Sequence, residues 1–518
     1  MVKNMNELLF IVKSLSYGNF WPLVNFVWDS PRFLALVGFA GFVGVIMLFL
    51  RFRNPGDTSH GSAREAARGD VKEFLARNYE DLRDGIVCGR AFGKYVVSKG
   101  HVTLIAPTRS GKGTGHIIPT LLEYSGSVLA NDMKGELCAV TRSAREQAGQ
   151  EIFVLNPFRF AEKITGKSNF FNPLYYIDIN DPDGITMAEG IVNMICADSE
   201  SSHGDPFWSN SAKSMICSAI LWLCEQRPRK ASLPDVRDFL ASGTESYISA
   251  VTDMREKSKL DAVKRAASDI LDTYAGGEGI KTFLGVRSNC AAYLKFLDNT
   301  NARAFLSRHD VPLDRLKFEP ISIYLVISPA HIEQCSIVAR IVYELAYNFT
   351  IAPSAKFADT ERLPENVLFL LDEFAQLGRM KTFLNGMGIG LGLGATFLLV
   401  LQDINQLRGK YRDDALTFIS NACSVFIGAK DSETAEMISK MLGTTTVKSF
   451  SKSGGSRGGS VSESSHSRPL RTADEILSGG KIPYVFPGFT RGIVAERSDY
   501  YNDRRWSKLA DPNPYYQK

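Results

Sequence analysis

The run His101-Val102-Thr103-Leu104-Ile105 passes directly into Ala106-Pro107-Thr108-Arg109-Ser110-Gly111-Lys112-Gly113-Thr114. This junction constrains the fold more than any other part of the chain. A strand that ends in a small glycine-containing loop and hands over to a helix turns several backbone N–H groups into one concavity. The helix N-terminus adds partial positive charge, so the concavity suits phosphate. Residues Thr108, Arg109, Ser110, Gly111, Lys112, Gly113 and Thr114 are the candidate cradle, and Lys112 is placed to reach the β- and γ-phosphates. The pattern departs from G-x-x-x-x-G-K-[ST] twice: Ala106 replaces the first glycine, and Gly113 stands where a magnesium-ligating hydroxyl is expected. Thr114 follows one residue late as the alternative ligand.

A second strand is predicted over Asn366-Val367-Leu368-Phe369-Leu370-Leu371, closed by Asp372-Glu373. An unbroken apolar run reads as a strand buried on both faces, as in a parallel sheet covered by helices. Ligands in such sheets collect at the carboxyl ends of the strands. There Asp372 would bind Mg²⁺ and Glu373 would polarise the attacking water, or the two would simply cap the next helix. A third run, Ala395-Thr396-Phe397-Leu398-Leu399-Val400-Leu401, ends in Gln402. Its amide either touches the γ-phosphate and the water, reporting ATP against ADP, or is a solvated strand end.

The order of these pieces resembles the type IV secretion coupling proteins, the TraG/TraD-like conjugation ATPases related to the FtsK/HerA translocases. Carrying the resemblance are His60-Gly61-Ser62-Ala63-Arg64, the loop with His116-Ile117-Ile118-Pro119-Thr120, and Asn131-Asp132-Met133-Lys134-Gly135-Glu136. Phe207-Trp208, Leu371-Asp372-Glu373-Phe374, Gln402-Asp403, and Asn421-Ala422-Cys423 through Asp431 to Leu442-Gly443 follow in order. The Gly-Lys-Gly sequence at 111–113 is common in that family. The resemblance implies an α/β fold with a RecA-like phosphate-loop core and an all-α insertion, preceded by a transmembrane anchor. It also implies ATP and Mg²⁺ as ligands and a homo-hexameric ring. As partners it implies single-stranded DNA with its relaxase or relaxosome, the secretion channel proteins, and protein effectors. A double-stranded DNA pump of the FtsK sort and a non-hydrolysing scaffold are the competing readings. Intact Lys112, Asp372, Glu373 and Gln402 argue against the scaffold.

With 518 residues and 44% apolar content, the chain has enough material for more than one buried core. Formal charge is only +4, so no global field announces nucleic acid. Eight scattered cysteines without a C-x-x-C pair read as small core residues and suggest neither zinc nor a disulfide framework. Residues 1–53 read as the membrane anchor. Phe33 to Leu50 carries no charge and meets Arg51 and Arg53, which place its C-terminal end in the cytoplasm, and the resemblance implies that the membrane is the bacterial inner membrane. Leu8 to Trp28 is a weaker span, joined to it by the turn Asp29-Ser30-Pro31-Arg32.

Beyond the anchor, residues 54–180 read as the first part of the nucleotide-binding domain, with strands at Ser127–Asn131 and Glu151–Leu155. From 181 to 305 the period becomes helical, in Phe207–Cys224, Leu233–Leu240 and Leu260–Tyr274, which predicts the all-α insertion. Residues 306–518 return to the core at Ile321–Ile327. A Gly/Ser-rich stretch at 448–468 reads as a mobile loop, either a spacer or a loop whose Lys452 and Arg457 touch DNA phosphates. A last helix at Ala473–Leu477 and a strand at Ile493–Ala495 close the core. In the basic segment Leu407–Arg412, Arg408 and Arg412 are candidates for an arginine completing a neighbour's site in trans; either is equally placed to face DNA or solvent.

Overall fold

The computed structural model describes residues 58–197, 205–277, 279–352, 366–453 and 460–516, with Lys13 and Phe42 besides. Apart from those two residues, the anchor spans Leu8–Trp28 and Phe33–Leu50, their connecting turn, Arg51 and Arg53 lie outside the described residues. Among the described residues no helix is long and apolar enough to cross a membrane.

Each apolar run read above as a core strand forms one. A nine-stranded sheet is built in the order β13-β12-β9-β3-β8-β7-β4-β6-β5. The strands are β3 (Val102–Ile105), β4 (Val128–Asp132), β5 (Glu151–Leu155), β6 (Ile321–Val326), β7 (Val367–Leu371), β8 (Ala395–Leu401), β9 (Cys423–Ile427), β12 (Pro483–Phe486) and β13 (Ile493–Val494). From β9 across to β5 every pairing is parallel, and β12 and β13 add antiparallel strands beyond β9. Successive side chains of a strand point to opposite faces. Phe369, Leu371, Phe397 and Leu399 therefore enter one hydrophobic core, and Leu368, Leu370, Leu398 and Val400 the other. Burial on both faces is why these runs are apolar without alternation.

The first core continues into a block between β5 and β6 whose described elements from 183 to 306 are all helices. Its helices are Asp183–Ile195, Pro206–Gln226, Leu233–Ala241, Thr244–Lys257, Asp261–Ala275, Gly279–Tyr293 and Thr300–Leu306. Local chemistry fixes their starts. The Asp205 side chain accepts from Phe207 N, and Ser232 with Asp235 forms a capping box at a helix whose first turn holds Pro234. The block shares its core with the sheet through the helix Ile332–Ile351, so it is a lobe of the same compact unit rather than a separate body.

Residues 54–100, read as a mixed lead-in, hold an unanticipated hairpin: β1 (Ile86–Ala91) pairs antiparallel with β2 (Lys94–Ser98). Phe92 and Gly93 both take positive φ, the geometry of a two-residue turn matched to strand twist.

A second, small unit contains residues 58–62 and the described part of 444–468. Of the stretch predicted as a mobile loop, residues 454–459, Arg457 among them, lie outside the described residues, and its flanks belong to strands β10 (Thr444–Ser453) and β11 (Ser460–Pro469) of a two-stranded sheet. Ladder pairing, the Lys448–Glu463 ion pair at 2.5 Å and a Ser449–Ser464 hydroxyl contact at 2.7 Å supply the order that burial does not. Thr446 Oγ1 also donates to Gly61 O at 3.1 Å.

One buried cation ties the layers on the second face. The Arg145 guanidinium, 2% exposed, donates to the carbonyls of Leu121, Tyr124 and Gly126 at 2.8, 2.9 and 2.9 Å, and to Ser322 Oγ. It thereby satisfies the end of the phosphate-loop helix and the turn that precedes β4. Replacing it by methionine removes this donor from Leu121 O and Tyr124 O, each worth about 1–3 kcal/mol when unsatisfied, while Gly126 O keeps Gln150 Nε2 at 3.2 Å. Arg145→Met is expected to lose at least about 2 kcal/mol of stability. Chemical denaturation monitored by tryptophan fluorescence checks this.

Candidate nucleotide site

The three strands that carry the predicted residues are adjacent, with β8 lying between β3 and β7. Registers Ile105↔Leu401 and Leu371↔Leu399 bring their carboxyl ends to one edge. After Ile105, Ala106 N donates to Leu401 O at 2.8 Å, and the chain then turns with Ser110 N on Pro107 O at 3.1 Å. Arg109 and Gly111 take φ of 62° and 95°, so the loop curls before Gly115 N meets Gly111 O at 2.9 Å and helix begins. Its first turn, Gly113–Ile117, is a π-turn, a widened form found at functional sites.

Lys112 crosses this edge to the acids. Its Nζ lies 2.8 Å from Asp372 Oδ1 and 2.5 Å from Glu373 Oε1. Gln402 Nε2 donates to Glu373 Oε2 at 2.9 Å, while Thr108 Oγ1 donates to Gln402 Oε1 at 3.2 Å. The loop, the acid pair and the amide thus form one hydrogen-bonded chain. Glu373 sits in the left-handed region at φ 56°, a conformation costing about 1–3 kcal/mol that persists only where surroundings enforce it. Beyond Ala130↔Leu370 the β4–β7 ladder stops, and Asn131 Nδ2 takes over by donating to Asp372 O at 2.6 Å.

Burial opposes charge on Lys112, but Asp372 and Glu373 outweigh it and hold its pKa above the ordinary lysine value. For Asp372 burial wins: its pKa is raised despite the ammonium, with Glu373 adding repulsion. The pair therefore does not behave as a simple ion pair that lowers the carboxyl and raises the amine; desolvation decides the acid. One ammonium faces two carboxylates, a donor set that a divalent cation would balance. Ser110 Oγ is buried with no partner among the described residues, a hydroxyl of the cradle left for a ligand. On both counts the residues fit a magnesium-bound nucleotide.

The remaining predicted residues are placed differently. Thr114 Oγ1 donates to Asp499 Oδ1 at 2.6 Å, so this candidate metal ligand is engaged by the C-terminal segment. Arg408 is paired with Glu433. Arg412 is exposed at the turn Arg412–Asp414, and no hydrogen bond or ion pair among the described residues joins it to Lys112, Asp372, Glu373 or Gln402. Reasoning from sequence missed Arg497, Ser498 and Asp499. Arg497 Nη2 bonds Asp499 Oδ1 at 2.6 Å, and Ser498 Oγ donates to Gly115 O at 2.7 Å. No local pattern links residues so far along the chain to the loop. Among the described residues no cluster of three or more histidines, cysteines and acids suggests a separate metal site.

Comparison with known proteins identifies the family. The family model described as Type IV secretory system Conjugative DNA transfer matches residues 59–513. The chain belongs to that family. Protein VirD4 of Agrobacterium fabrum strain C58 is 30% identical over 421 residues, covering 78% of this chain and 59% of the relative. Conjugal transfer protein TraG of Escherichia coli is 26% identical over 487 residues, covering 86% and 75%. The chain spans about three fifths of the length of the VirD4 proteins it matches. Among solved structures, plasmid coupling protein TrwB in complex with ADP and Mg²⁺ superposes with a TM-score of 0.60 at 13% identity, covering 84% of this chain and 93% of that one. That likeness establishes a shared α/β fold.

Removing the ammonium tests the electrostatic balance. In Lys112→Met, Asp372 and Glu373 face each other unneutralised, so the Asp372 pKa rises further. A carboxyl raised above its unfolded value of 3.8 contributes stability that is present below that pH and lost as pH climbs through the folded value. Lys112→Met is expected to lose more thermal stability than the parent as pH rises above 3.8. Melting curves across that range check it.

Proposed function

We propose that this chain is a membrane-anchored ATPase that couples ATP hydrolysis to delivery of substrates into a type IV secretion channel. The substrates are single-stranded DNA with its relaxase, protein effectors, or both. The observation that carries the reading is the convergence of Lys112, Asp372, Glu373 and Gln402 at the ends of β3, β7 and β8. Membership of the conjugative transfer family and the names of its relatives support the substrate class.

In this reading the loop N–H groups from Thr108 to Thr114 hold the phosphates. Lys112 moves from the acids onto the transferring phosphate, and its departure frees Glu373 Oε1 to take a proton from the attacking water. Gln402 stays on Glu373 Oε2 and on Thr108, so it links the loop's state to the base. Asp372 would hold Mg²⁺, which when bound supplies positive charge at the β- and γ-phosphates. The anchor is assigned to Leu8–Trp28 and Phe33–Leu50 in a bacterial inner membrane, and the working form to a homo-hexamer. Of the two arginines proposed to act in trans, Arg412 is the better candidate, because Arg408 is already paired with Glu433.

The test uses the detergent-extracted full chain and a conjugation assay. Lys112→Ala and Glu373→Gln are each expected to lower ATP turnover by on the order of a hundredfold or more and to stop transfer. Glu373→Gln is expected to retain ATP binding. Normal turnover in either variant overturns the assignment.

A further inference from the structure

The acid pair marks one end of the phosphate loop, and the other end has partners of its own. In such loops the lysine reaches the β- and γ-phosphates while the backbone cradles the α- and β-phosphates. Lys112 with Asp372 and Glu373 is thus the terminal-phosphate end. Thr114, where the helix begins, lies toward the α-phosphate and the nucleoside.

At that second end the C-terminal segment supplies a cluster that the hydrolytic reading leaves unused. Asp499 Oδ1 accepts from both Thr114 Oγ1 and Arg497 Nη2 at 2.6 Å. Tyr501 forms side-chain hydrogen bonds with Asp499 and Arg497. The Arg497 guanidinium lies so close to Gly111 that a Cβ there would sit 2.5 Å from Nη2. Its Nε is buried without a partner among the described residues. Yet the Arg497 side chain is 28% exposed and Tyr501 39% exposed, so both remain open to a ligand.

The segment is held firmly. Glu496 exchanges backbone hydrogen bonds with Arg90 of β1 at 2.9 and 2.7 Å. Downstream, buried Trp506 donates through Nε1 to Glu123 Oε1 at 2.9 Å, at the far end of the phosphate-loop helix. Clamped on both sides, Arg497, Asp499 and Tyr501 are preorganised beside the loop.

We infer that Arg497–Tyr501 forms the nucleoside end of the nucleotide site. Arg497 holds the phosphate nearest the ribose, and the Tyr501 ring gives the base an aromatic face. The inference rests on the ATPase reading and extends it to substrate recognition. A cation beside Gly111 and Thr114 complements the α-phosphate, and an aromatic ring accepts any purine by stacking, worth about tenfold or more in affinity.

Calorimetric titration of the full-length protein with ADP and with inorganic tripolyphosphate separates the two ends. Tyr501→Ala is expected to weaken ADP about tenfold or more and leave tripolyphosphate unchanged, whereas Tyr501→Phe binds both like the parent. Arg497→Ala is expected to weaken both ligands, with partial recovery in Arg497→Lys. Unchanged ADP affinity in Tyr501→Ala overturns the inference. So does an equal loss of tripolyphosphate, which would mean that the tyrosine only supports the loop. A loss in Tyr501→Phe matching that in Tyr501→Ala assigns the effect to the hydroxyl and overturns it too. A parent protein that binds neither ligand removes the ATPase reading itself.

Discussion

The Lys112 ammonium, shared between Asp372 and Glu373, is the contact on which the site's organisation depends. It joins the loop after β3 to the end of β7 across the tip of β8, and neighbouring strands lie about 4.8 Å apart. A lysine spans that gap, and a shorter cation would not. The bridge also explains how Glu373 tolerates a left-handed backbone. Two hydrogen-bond partners, the Lys112 ammonium and the neutral Gln402 amide, act on its carboxylate, while Asn131 fixes the preceding peptide. Strain of that size is sustained only where several such contacts agree.

Around this edge the sheet excludes water on both faces, so buried polar groups need partners made by the fold. Arg145 meets its need with the carbonyls of Leu121, Tyr124 and Gly126. Asp132, at the end of β4, is pushed up to about 6 by burial even though it accepts from Cys138 N and Lys134 N. Glu123 is surrounded by Arg505 and the Trp506 indole, which pins the chain's last helix to the phosphate-loop helix. These groups hold the second layer in register with the loop. The site's geometry is inherited from that layer as much as from the sheet.

Much of this was legible in the sequence. Strands buried on both faces are unbroken apolar runs, and a functional residue at a strand's carboxyl end follows such a run immediately. That is how Lys112, Asp372, Glu373 and Gln402 could be assigned together. The helical lobe was legible from its 3.6-residue period. Strand order was not, because apolarity says nothing about which strand is the neighbour. The β1–β2 hairpin was missed although Phe92-Gly93 between two apolar stretches carried a turn signal. The strands flanking the Gly/Ser segment were not legible, because they gain order from ladder bonds, which composition does not report. Asp499 could not be matched to Thr114, since that contact depends on the fold of the whole intervening chain.

The glycines of the phosphate loop differ in what approaches them. Gly111 carries a positive φ and also faces the Arg497 guanidinium, so any side chain there would collide with it. Gly115 gives its carbonyl to Ser498 Oγ, and a Cβ on it would already touch Asp499 Oδ1 at 3.6 Å. Gly113, the position normally given a metal-binding hydroxyl, opens the π-turn with nothing within 4 Å of its would-be Cβ. The hydroxyl one residue later is turned to Asp499 instead. A loop of this composition therefore gives its helical side to the C-terminal segment. The two ends of the site are built by different parts of the chain, and the glycines allow both to approach.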